Sequence, residues 1–345
     1  MQLHLILPGL LWPGKVFHDI ASDLDLPALS WLLGRGHLSP QPPRAPEQAL
    51  CTALGIEDPE PPYAALRLLG DGGTPKDAIW LCADPVHLNI EQRRITLALD
   101  ATPANAVETA EIVNVLAPHF ATIGEFVGGI DGHCYLRLKE TPSIITTPPS
   151  LAAGYQSMLP QGADALRWRQ LTNEAQMLLH TLPCNERRDS ARLPRLNSLW
   201  FWGAGRLPAG GNLPHGRIVG DDPVLRGLAR LMDVPLEQAE TPQVLLHERH
   251  GSTLLLLNPL QAPARAYDAL RWREALLNLE CTFLQPLRNA VSNGTVSLLQ
   301  ITALGDEDSF DLALTRHDRL RFWRRPRALH TLAGFGPVTG MRVVP

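Results

Sequence analysis

The residue types best suited to bind a small ligand are concentrated in one central stretch of the chain. In sequence order they are Asn185, Arg188, Asn197, Trp200, Trp202 and Gly203. Side-chain amides can hydrogen-bond a ligand, a guanidinium can clamp an anion with two parallel bonds, and indoles can line an apolar pocket. The stretch therefore predicts a ligand pocket. The alternative interpretation is that both indoles pack in the core at a domain junction, each with one hydrogen bond.

Other acidic residues and histidines form weaker patterns. Asp84 and His87 could form a metal pair or an acid–base couple, but their spacing is equally typical of a turn that ends a strand. Asp131-Gly132 lies between two strand patterns and first predicts a hairpin. His247 and His250 flank a turn with no third ligand nearby, which disfavours zinc. We predict no catalytic residue and no metal ligand from these patterns, and we find no Ser-His-Asp elbow, Walker loop or dinucleotide fingerprint.

The segment Arg316–Arg327 interleaves arginine with Phe322 and Trp323. Arginine side chains can hold phosphates while aromatic rings stack on bases, so the segment predicts an anionic partner. The arginines proposed for this contact are Arg321, Arg324 and Arg325. The alternation of Leu320 and Phe322 with arginine favours a different structure, a half-buried strand whose outer face is charged. Both interpretations fit the sequence.

Composition limits the class of protein. The chain has 345 residues, of which 45% are hydrophobic and 19% charged, as in ordinary soluble globular proteins. A net charge of −4 and a pI near 6.3 argue against bulk attraction to nucleic acids or membrane surfaces. The five cysteines are scattered and odd in number, which favours reduced thiols. We therefore expect a cytoplasmic protein with no membrane partner, which binds an unknown protein or small anionic ligand rather than nucleic acid.

Hydrophobic patterning predicts an α/β fold. The strand Leu3–Leu7 is followed by helices at Pro27–Leu33, which Asp25 can cap, and at Glu47–Leu54. The apolar run Ala78–Ala83 is typical of a strand buried on both faces. These elements suit a mainly parallel sheet with helices packed on it.

The second part of the chain continues this pattern. The predicted strands are Ile95–Leu99, a strand from Asn197 with both indoles on one face, Val296–Ile301 and Phe310–Leu314. Hairpins are predicted around Gly128–Gly132 and from Val244–Glu248 and Thr253–Leu257. The predicted helices are Glu108–Leu116, 165–182, one that starts at Asp222-Pro223, and a long one that Asp268 can cap and that Pro286 should kink. In the helix at 165–182 the apolar side is assigned to Leu166, Leu171, Met177 and Leu178. We expect residues 1–85 and 196–345 to form the core and residues 86–195 an inserted α+β subdomain with a connecting helix.

The central stretch resembles a motif of the archaeal-type cofactor-independent phosphoglycerate mutases, His-Pro-Val-Asn-x-x-Arg followed by Asn-x-x-Trp-x-Trp-Gly-x-Gly. The matching residues are Asn185, Arg188, Asn197, Trp200, Trp202, Gly203 and Gly205, while Leu182 stands where the pattern has histidine. The chain is also similar to bacterial RpfE-type regulatory proteins through Leu3–Leu10, Asp84–Leu88 and Arg321–Pro326. The resemblance implies the alkaline phosphatase superfamily, and thus a three-layer α/β core with a mainly parallel sheet.

In that superfamily, two metals and a serine or threonine nucleophile transfer a phosphoryl group. The family's first metal ligand is an aspartate at the end of the first strand, where this chain has Pro8-Gly9, and Leu26 stands at the nucleophile's place. The resemblance therefore implies a phosphoglycerate-mutase-like regulatory or interaction protein that lacks the two-metal site and needs no cofactor.

Two alternatives stay open. The first is a metal-dependent mutase or phosphohydrolase that holds Mn²⁺ or Zn²⁺ with ligands from unfamiliar places. Its candidate ligands are Asp19, Asp23, Asp84, His87, Asp306 and Asp308. The second is an accessory protein that binds an anion or nucleic acid through the segment Arg316–Arg327.

Overall fold

The computed structural model describes residues 1–91, 94–98, 102–149, 159–209, 216–238 and 251–332. The chain divides into two compact units. Unit 1 contains Met1–Ala53, Leu213–Asp221 and Val234–Pro345, and unit 2 contains Leu54–Asn212 and Asp222–Asp233. None of the described helices combines the length and the apolar character that a membrane span requires.

Strands and helices alternate along much of the chain. The strands are β1 (Gln2–Pro8), β2 (His37–Gln41), β3 (Ile79–Val86), β4 (Leu88–Glu91), β5 (Arg94–Leu97), β6 (Gly124–Gly128), β7 (Cys134–Leu138), β8 (Ser198–Gly205), β9 (Arg217–Val219), β10 (Leu236–Glu237), β11 (Ser252–Leu256), β12 (Leu298–Leu304) and β13 (Ser309–Thr315). The α-helices are α1 (Phe17–Ala21), α2 (Pro27–Arg35), α3 (Pro46–Ala53), α4 (Tyr63–Gly70), α5 (Ala106–Phe120), α6 (Ala165–His180), α7 (Pro183–Ser190), α8 (Pro223–Leu231), α9 (Gln261–Arg265), α10 (Ala269–Leu279) and α11 (Gln285–Ser292).

Unit 1 is built on a seven-stranded sheet with the order β10-β9-β11-β1-β12-β13-β2. The strands from β10 to β12 run parallel, whereas β13 and β2 add an antiparallel edge. The central strand β1 alternates in its first residues, with Leu3, Leu5 and Leu7 in the main apolar core of the unit. A mostly parallel sheet of this kind was predicted from the buried apolar strands, and it is observed in this unit.

The start of α2 is stabilised differently from the prediction. Asp25 does not cap this helix; the residue before its first turn is Leu26, whose side chain makes no capping bond. Instead the buried carboxylate of Glu280 accepts the backbone N–H groups of Ala28 (2.6 Å) and Leu29 (3.1 Å). Glu280 begins a π-helical turn between α10 and α11, where Pro286 lacks the N–H that a regular helix would need. The long helix that Pro286 was predicted to kink is interrupted by this π-helical turn, which ends just before the proline.

Unit 2 contains a four-stranded antiparallel sheet with the order β6-β7-β3-β8, and a two-stranded sheet of β4 and β5. The predicted hairpin at Gly128–Gly132 is confirmed as the turn between β6 and β7. Its tip has positive φ angles at Asp131 (53°) and Gly132 (79°), as tight hairpin turns require.

The predicted domain boundaries are wrong. The strands β3 and β8 were both expected in the main parallel sheet, with residues 86–195 inserted between them. They instead pair with each other, antiparallel, in the sheet of unit 2, so the chain enters this unit at Leu54. An apolar run such as Ala78–Ala83 fits a central strand of either kind of sheet, and only the pairing decides which.

The buried face of one helix is only partly as predicted, because Leu171 and Leu178 pack against the core while the other two predicted residues do not. In α6 the side chains of Leu166 and Met177 are exposed (70% and 71%), and the buried face is formed by Trp168, Thr172, Ala175 and Leu179. The buried residues have helical spacing, but a search for large apolar side chains does not detect this face because it includes Ala175 and Thr172. Asp268 caps α10 as predicted, and Asp222, where a helix was predicted to start, caps α8.

The helix α4 was not predicted, although Pro61-Pro62 precedes an apolar run there. The proposed hairpin partner Val244–Glu248, with His247 and His250, lies outside the described residues. The other half of that hairpin is β11, which pairs in parallel with β1 and β9.

Candidate functional site

The tryptophans of the central stretch lie on one face of β8, as their alternation predicts. Cross-strand register places Trp200 beside Asp84 of β3, and Trp202 beside Cys82, whose other neighbour is Tyr135 of β7. Trp200 is fully buried and Trp202 nearly so. Because alternate residues of paired strands share a face, these side chains form one surface of the unit 2 sheet.

A buried ion pair covers this surface. Arg67, from α4, donates from Nη1 to Oδ2 of Asp84 (2.7 Å) and from Nη2 to Oδ1 (2.6 Å). The Trp202 indole N–H donates to the same Oδ2 at 2.8 Å. The guanidinium carbon of Arg67 also lies 4.8 Å from the ring centre of Tyr135 and 5.1 Å from that of Trp202. The charge of Arg67 is therefore held by a carboxylate and by two aromatic faces.

The network continues from Arg67 to a second carboxylate. Arg67 Nε donates to the Tyr135 hydroxyl (3.1 Å), which in turn donates to Oδ2 of Asp71 (2.6 Å). The same Oδ2 is 2.8 Å from Nδ1 of His133. This chain of bonds joins α4 to β3, β7 and β8, so each of these elements fixes the others.

The electrostatics of the network follow from its arrangement. Burial opposes ionisation of Asp84, but the nearby charge and hydrogen bonds of Arg67 outweigh it, and the pKa of Asp84 lies below its ordinary value. Burial likewise opposes ionisation of Asp71, while hydrogen bonds from His133 and Tyr135 bring its pKa below the ordinary value. Burial raises the pKa of the Tyr135 phenol far above its usual range. At neutral pH the network therefore holds ionised carboxylates and a neutral phenol.

The residues that were predicted to bind a ligand hold the backbone instead. Asn185 donates to the carbonyls of Leu179 and Leu196 and accepts the N–H of Leu196. Asn197 exchanges two hydrogen bonds with the backbone of Leu88, as a paired strand residue would. Both side-chain amides are therefore already hydrogen-bonded to the backbone, whereas binding a ligand would require them to be free. The assignment of Asn185 and Asn197 to a ligand is therefore corrected.

Arg188 is likewise not an anion clamp. Its side chain is 1% exposed and forms an ion pair with buried Glu108 at 2.9 Å. It also donates to the carbonyls of Pro194 (2.7 Å) and Thr102 (2.5 Å). An arginine enclosed by a carboxylate and carbonyl oxygens presents no free donor face to an incoming anion.

Trp200 and Gly203 complete this structural group. The Trp200 indole donates to the carbonyl of Thr147 (2.8 Å), and the Gly203 N–H donates to the hydroxyl of Thr146 (3.3 Å). Gly203 has a φ of +65° and contacts Tyr63 so closely that a side chain would not fit. The alternative interpretation, that both indoles pack in the core with one hydrogen bond each, describes what is observed.

The proposed metal ligands are placed mainly in structural contacts. Asp23 accepts two hydrogen bonds from Arg273 (2.6 and 2.8 Å), and His87 lies within hydrogen-bond distance of Arg195 O and Asn89 Oδ1. In unit 1, a small cavity of about 140 Å³ is lined by Asp306 and Asp308 together with Lys15 and Trp12. Burial raises the pKa of Asp306. Within the described ranges, no three His, Cys, Asp or Glu side chains lie close enough to share a metal ion.

The arginine segment Arg316–Arg327 is not a half-buried strand. Beyond a short 3₁₀ turn at Asp318–Leu320 it is irregular, and Leu320, Phe322 and Trp323 are 63%, 81% and 68% exposed. Arg321 pairs with Asp318 (2.9 Å), Arg324 donates to the carbonyls of Arg35 and Gly36, and Arg325 is exposed. The alternation of arginine and apolar residues was misleading, because none of the described strands pairs with this segment.

A polar pocket in unit 1 was missed by the sequence analysis. It has a volume of about 390 Å³, and its lining includes His4 of β1, Gln300 of β12 and Ala49 of α3. His4 Nε2 lies 2.9 Å from the Thr302 hydroxyl, which donates to Asp311 Oδ1 (2.8 Å), and Arg44 also donates to this oxygen (2.5 Å). Because the hydroxyl has one proton, Nε2 of His4 must carry the proton that it donates to Thr302.

The balanced charges of Arg44 and Asp311 and the neutral polar side chains around them suit a neutral polar ligand. The signal in the sequence was the period-two spacing of Gln2 and His4 in β1 and of Gln300 and Thr302 in β12. Such spacing marks one polar face on two strands that are adjacent in the sheet.

Comparisons with known proteins agree on the fold. No protein-family model matches the chain. A 2,3-bisphosphoglycerate-independent phosphoglycerate mutase of Methanothrix thermoacetophila is 28% identical over 149 residues, which cover 39% of this chain and 36% of that protein. The match thus spans little more than a third of the relative's length.

Two solved structures are similar over nearly the full chain. The PH0037 protein of Pyrococcus horikoshii has a TM-score of 0.57 at 17% identity, covering 97% of this chain and 93% of that one. A cofactor-independent phosphoglycerate mutase of Thermoplasma acidophilum has a TM-score of 0.49 at 16% identity, covering 98% and 95%. The predicted α/β class with a mostly parallel sheet is confirmed, and the chain shares its overall fold with the PH0037 protein.

Proposed function

We propose that this chain is a non-catalytic, phosphoglycerate-mutase-like protein of the RpfE regulatory type, which acts by binding a partner. The observation that carries the proposal is the end of β1, where the resembling enzymes place the aspartate that binds a metal. Here Gly9 follows the strand with a φ of +75°. A Cβ atom at this position would lie 2.6 Å from the carbonyl oxygen of Leu260 and 2.7 Å from the Cα atom of Gln261. The backbone geometry at Gly9 thus leaves no room for a carboxylate.

The surroundings of Gly9 are apolar. Its carbonyl accepts the indole N–H of Trp272 at 2.7 Å, and Trp272 packs edge-on against both Trp12 and Phe17. Leu26, which stands at the nucleophile's place, is 4% exposed in the same core. A two-metal site needs carboxylates to neutralise the cations and the phosphoryl oxygens. An aromatic cluster supplies neither charge nor ligands, which supports a role without phosphoryl transfer.

Two of the carboxylates considered for an unfamiliar metal site, Asp84 and Asp23, do not fit that role. Both oxygens of Asp84 are engaged by Arg67, and both oxygens of Asp23 by Arg273. A divalent metal would have to displace an arginine from each of them, leaving the buried Arg67 charge without its partner. The engagement of these two carboxylates therefore supports the non-catalytic function over a metal-dependent mutase or phosphohydrolase that would use them.

The proposal is tested by metal content and activity. The protein is incubated with Mn²⁺ and with Zn²⁺, separated from unbound metal by gel filtration, and analysed by inductively coupled plasma mass spectrometry. The same samples are incubated with 3-phosphoglycerate, and the product is followed by ³¹P NMR. We expect no stoichiometric metal and no formation of 2-phosphoglycerate, while an active metal-dependent mutase treated in parallel shows both. Two ions per chain, or conversion above the protein-free control, would overturn the proposal.

A further inference from the structure

The segment Arg316–Arg327 carries a charge that differs sharply from the rest of the chain. Its six arginines and one aspartate leave a formal charge of +5, whereas the whole chain has −4, so the remaining residues together carry −9. The segment lies close to two further arginines of unit 1, because Arg35 contacts it and shares the Trp31 ring with Arg288, at 5.3 and 5.6 Å. Such a separation of charge gives unit 1 a strongly basic area in an otherwise acidic protein.

The backbone of this segment is held in place on α2. Arg35 donates to the carbonyl of Arg319 (3.0 Å), and the N–H of Arg327 donates to the carbonyl of Ser30 (2.9 Å). At Gly34 the contact is so close that a Cβ atom would lie 2.3 Å from the carbonyl oxygen of Arg325. The segment is therefore an ordered part of the unit 1 surface, and its exposed side chains do not belong to a loose tail.

Large apolar side chains are exposed between these arginines. Leu320, Phe322 and Trp323 are all more than 60% exposed, and the two aromatic rings contact each other edge to face with centroids 5.2 Å apart. Exposed apolar side chains are common singly, but a group of three within four residues marks an interaction surface. The surface thus combines apolar side chains with a local excess of positive charge.

We propose that this surface, Arg316–Arg327, binds the headgroup region of an anionic lipid membrane. The overall negative charge disfavours attraction averaged over the protein, but a planar membrane touches one side only and leaves the acidic remainder in solvent. Clusters of four to eight arginines or lysines attract anionic lipids, and inserted apolar side chains supply the second contribution that reversible membrane binding needs. Trp323 has the amphipathic ring that favours the membrane interface.

The apolar residues favour a membrane over a single-stranded nucleic acid. Phe322 and Trp323 could stack on bases, but the aliphatic Leu320 gains more from acyl chains than from a base. The proposal is independent of the proposed function, since membrane binding does not depend on whether the protein transfers phosphoryl groups.

The experiment measures binding of the full chain to vesicles by flotation. The probes are vesicles of phosphatidylcholine mixed with phosphatidylglycerol, vesicles of phosphatidylcholine alone, and a single-stranded oligothymidylate. We expect the protein to float with the anionic vesicles and not with the neutral ones, and binding to weaken as salt is added. Binding to the oligonucleotide in preference to the anionic vesicles would overturn the proposal, as would binding to none of the three.

Two double variants separate the two contributions. Arg324→Glu/Arg325→Glu should weaken binding to anionic vesicles by about tenfold or more, and Phe322→Ser/Trp323→Ser should also weaken it. The matched controls lie on α6: Arg167→Glu/Arg169→Glu makes the same change in charge, and Leu166→Ser/Met177→Ser removes two exposed apolar side chains. Equal losses in the test and control variants, at unchanged thermal midpoints, would show that the segment is not the binding surface.

Discussion

Arg67 and Asp84 form a two-pronged ion pair in unit 2, with both nitrogen–oxygen distances at or below 2.7 Å and both side chains nearly excluded from solvent. A third residue, Trp202, donates to the same carboxylate. Two buried charges of this kind depend on each other, because either one alone would face the low-dielectric interior without compensation.

Replacement of Asp84 by Asn should therefore destabilise the protein strongly. The Asp84→Asn variant leaves the Arg67 charge buried and unpaired, which costs about 3–5 kcal/mol. The measurement is the free energy of unfolding in urea. The control is Asp77→Asn, which breaks the exposed pair with Arg206 and should cost less than about 1 kcal/mol. Equal effects of the two substitutions would contradict the burial of the Asp84 pair.

The same carboxylates predict how stability depends on pH. The pKa values of Asp84 and Asp71 are lowered in the folded protein. A lowered pKa stabilises the folded state above the unfolded value, about 3.9 for aspartate, and this stabilisation is lost as pH falls through the folded pKa. The urea midpoint should therefore decline from about pH 4 downward, because the two aspartates take up protons on unfolding. In Asp84→Asn the decline should be shallower; curves that run parallel from pH 7 to the acid limit would refute this assignment.

Neighbouring arginines in α7 allow a matched test of the structural role of Arg188. Arg188→Met should destabilise the protein by about 3–5 kcal/mol because buried Glu108 loses its partner. Arg187→Met removes the partially exposed pair with Glu111 and should cost less than about 1 kcal/mol. Urea unfolding of both variants provides the measurement. If Arg188 instead served a ligand, its replacement would leave the stability of the free protein nearly unchanged.

The contact between α4 and α8 depends on a glycine. A Cβ atom at Gly227 would lie 1.8 Å from the carbonyl oxygen of Leu66, within backbone that cannot yield as a side chain would. Gly227→Ala should therefore force the helices apart and destabilise unit 2 by about 3 kcal/mol or more. Gly216→Ala is the control, because the nearest atom to its Cβ would be 3.9 Å away. Thermal unfolding compares the two, and similar midpoints for both variants would contradict the close approach.

Local sequence patterns predicted most individual elements. The alternation in β1 and β8, the helix starts at Asp222 and Asp268 and the hairpin turn at Asp131-Gly132 depend on neighbouring residues, so they can be predicted from the sequence. The α/β class followed from the order of these elements. The shared face of Trp200 and Trp202 followed from the two-residue period of a strand.

Tertiary structure alone decided how these elements are used. The pairing of β3 with β8 assigned both strands to unit 2, because an apolar run fits a parallel or an antiparallel neighbour equally well. Partners distant in sequence also decided the roles of single residues. Glu280, and not Asp25, accepts the first N–H groups of α2. Glu108 pairs with Arg188, which was predicted to bind a ligand. Phe322 and Trp323 are exposed because none of the described strands pairs with their segment. An alternating pattern favours a half-buried strand, but the strand forms only where a neighbouring element covers its apolar face.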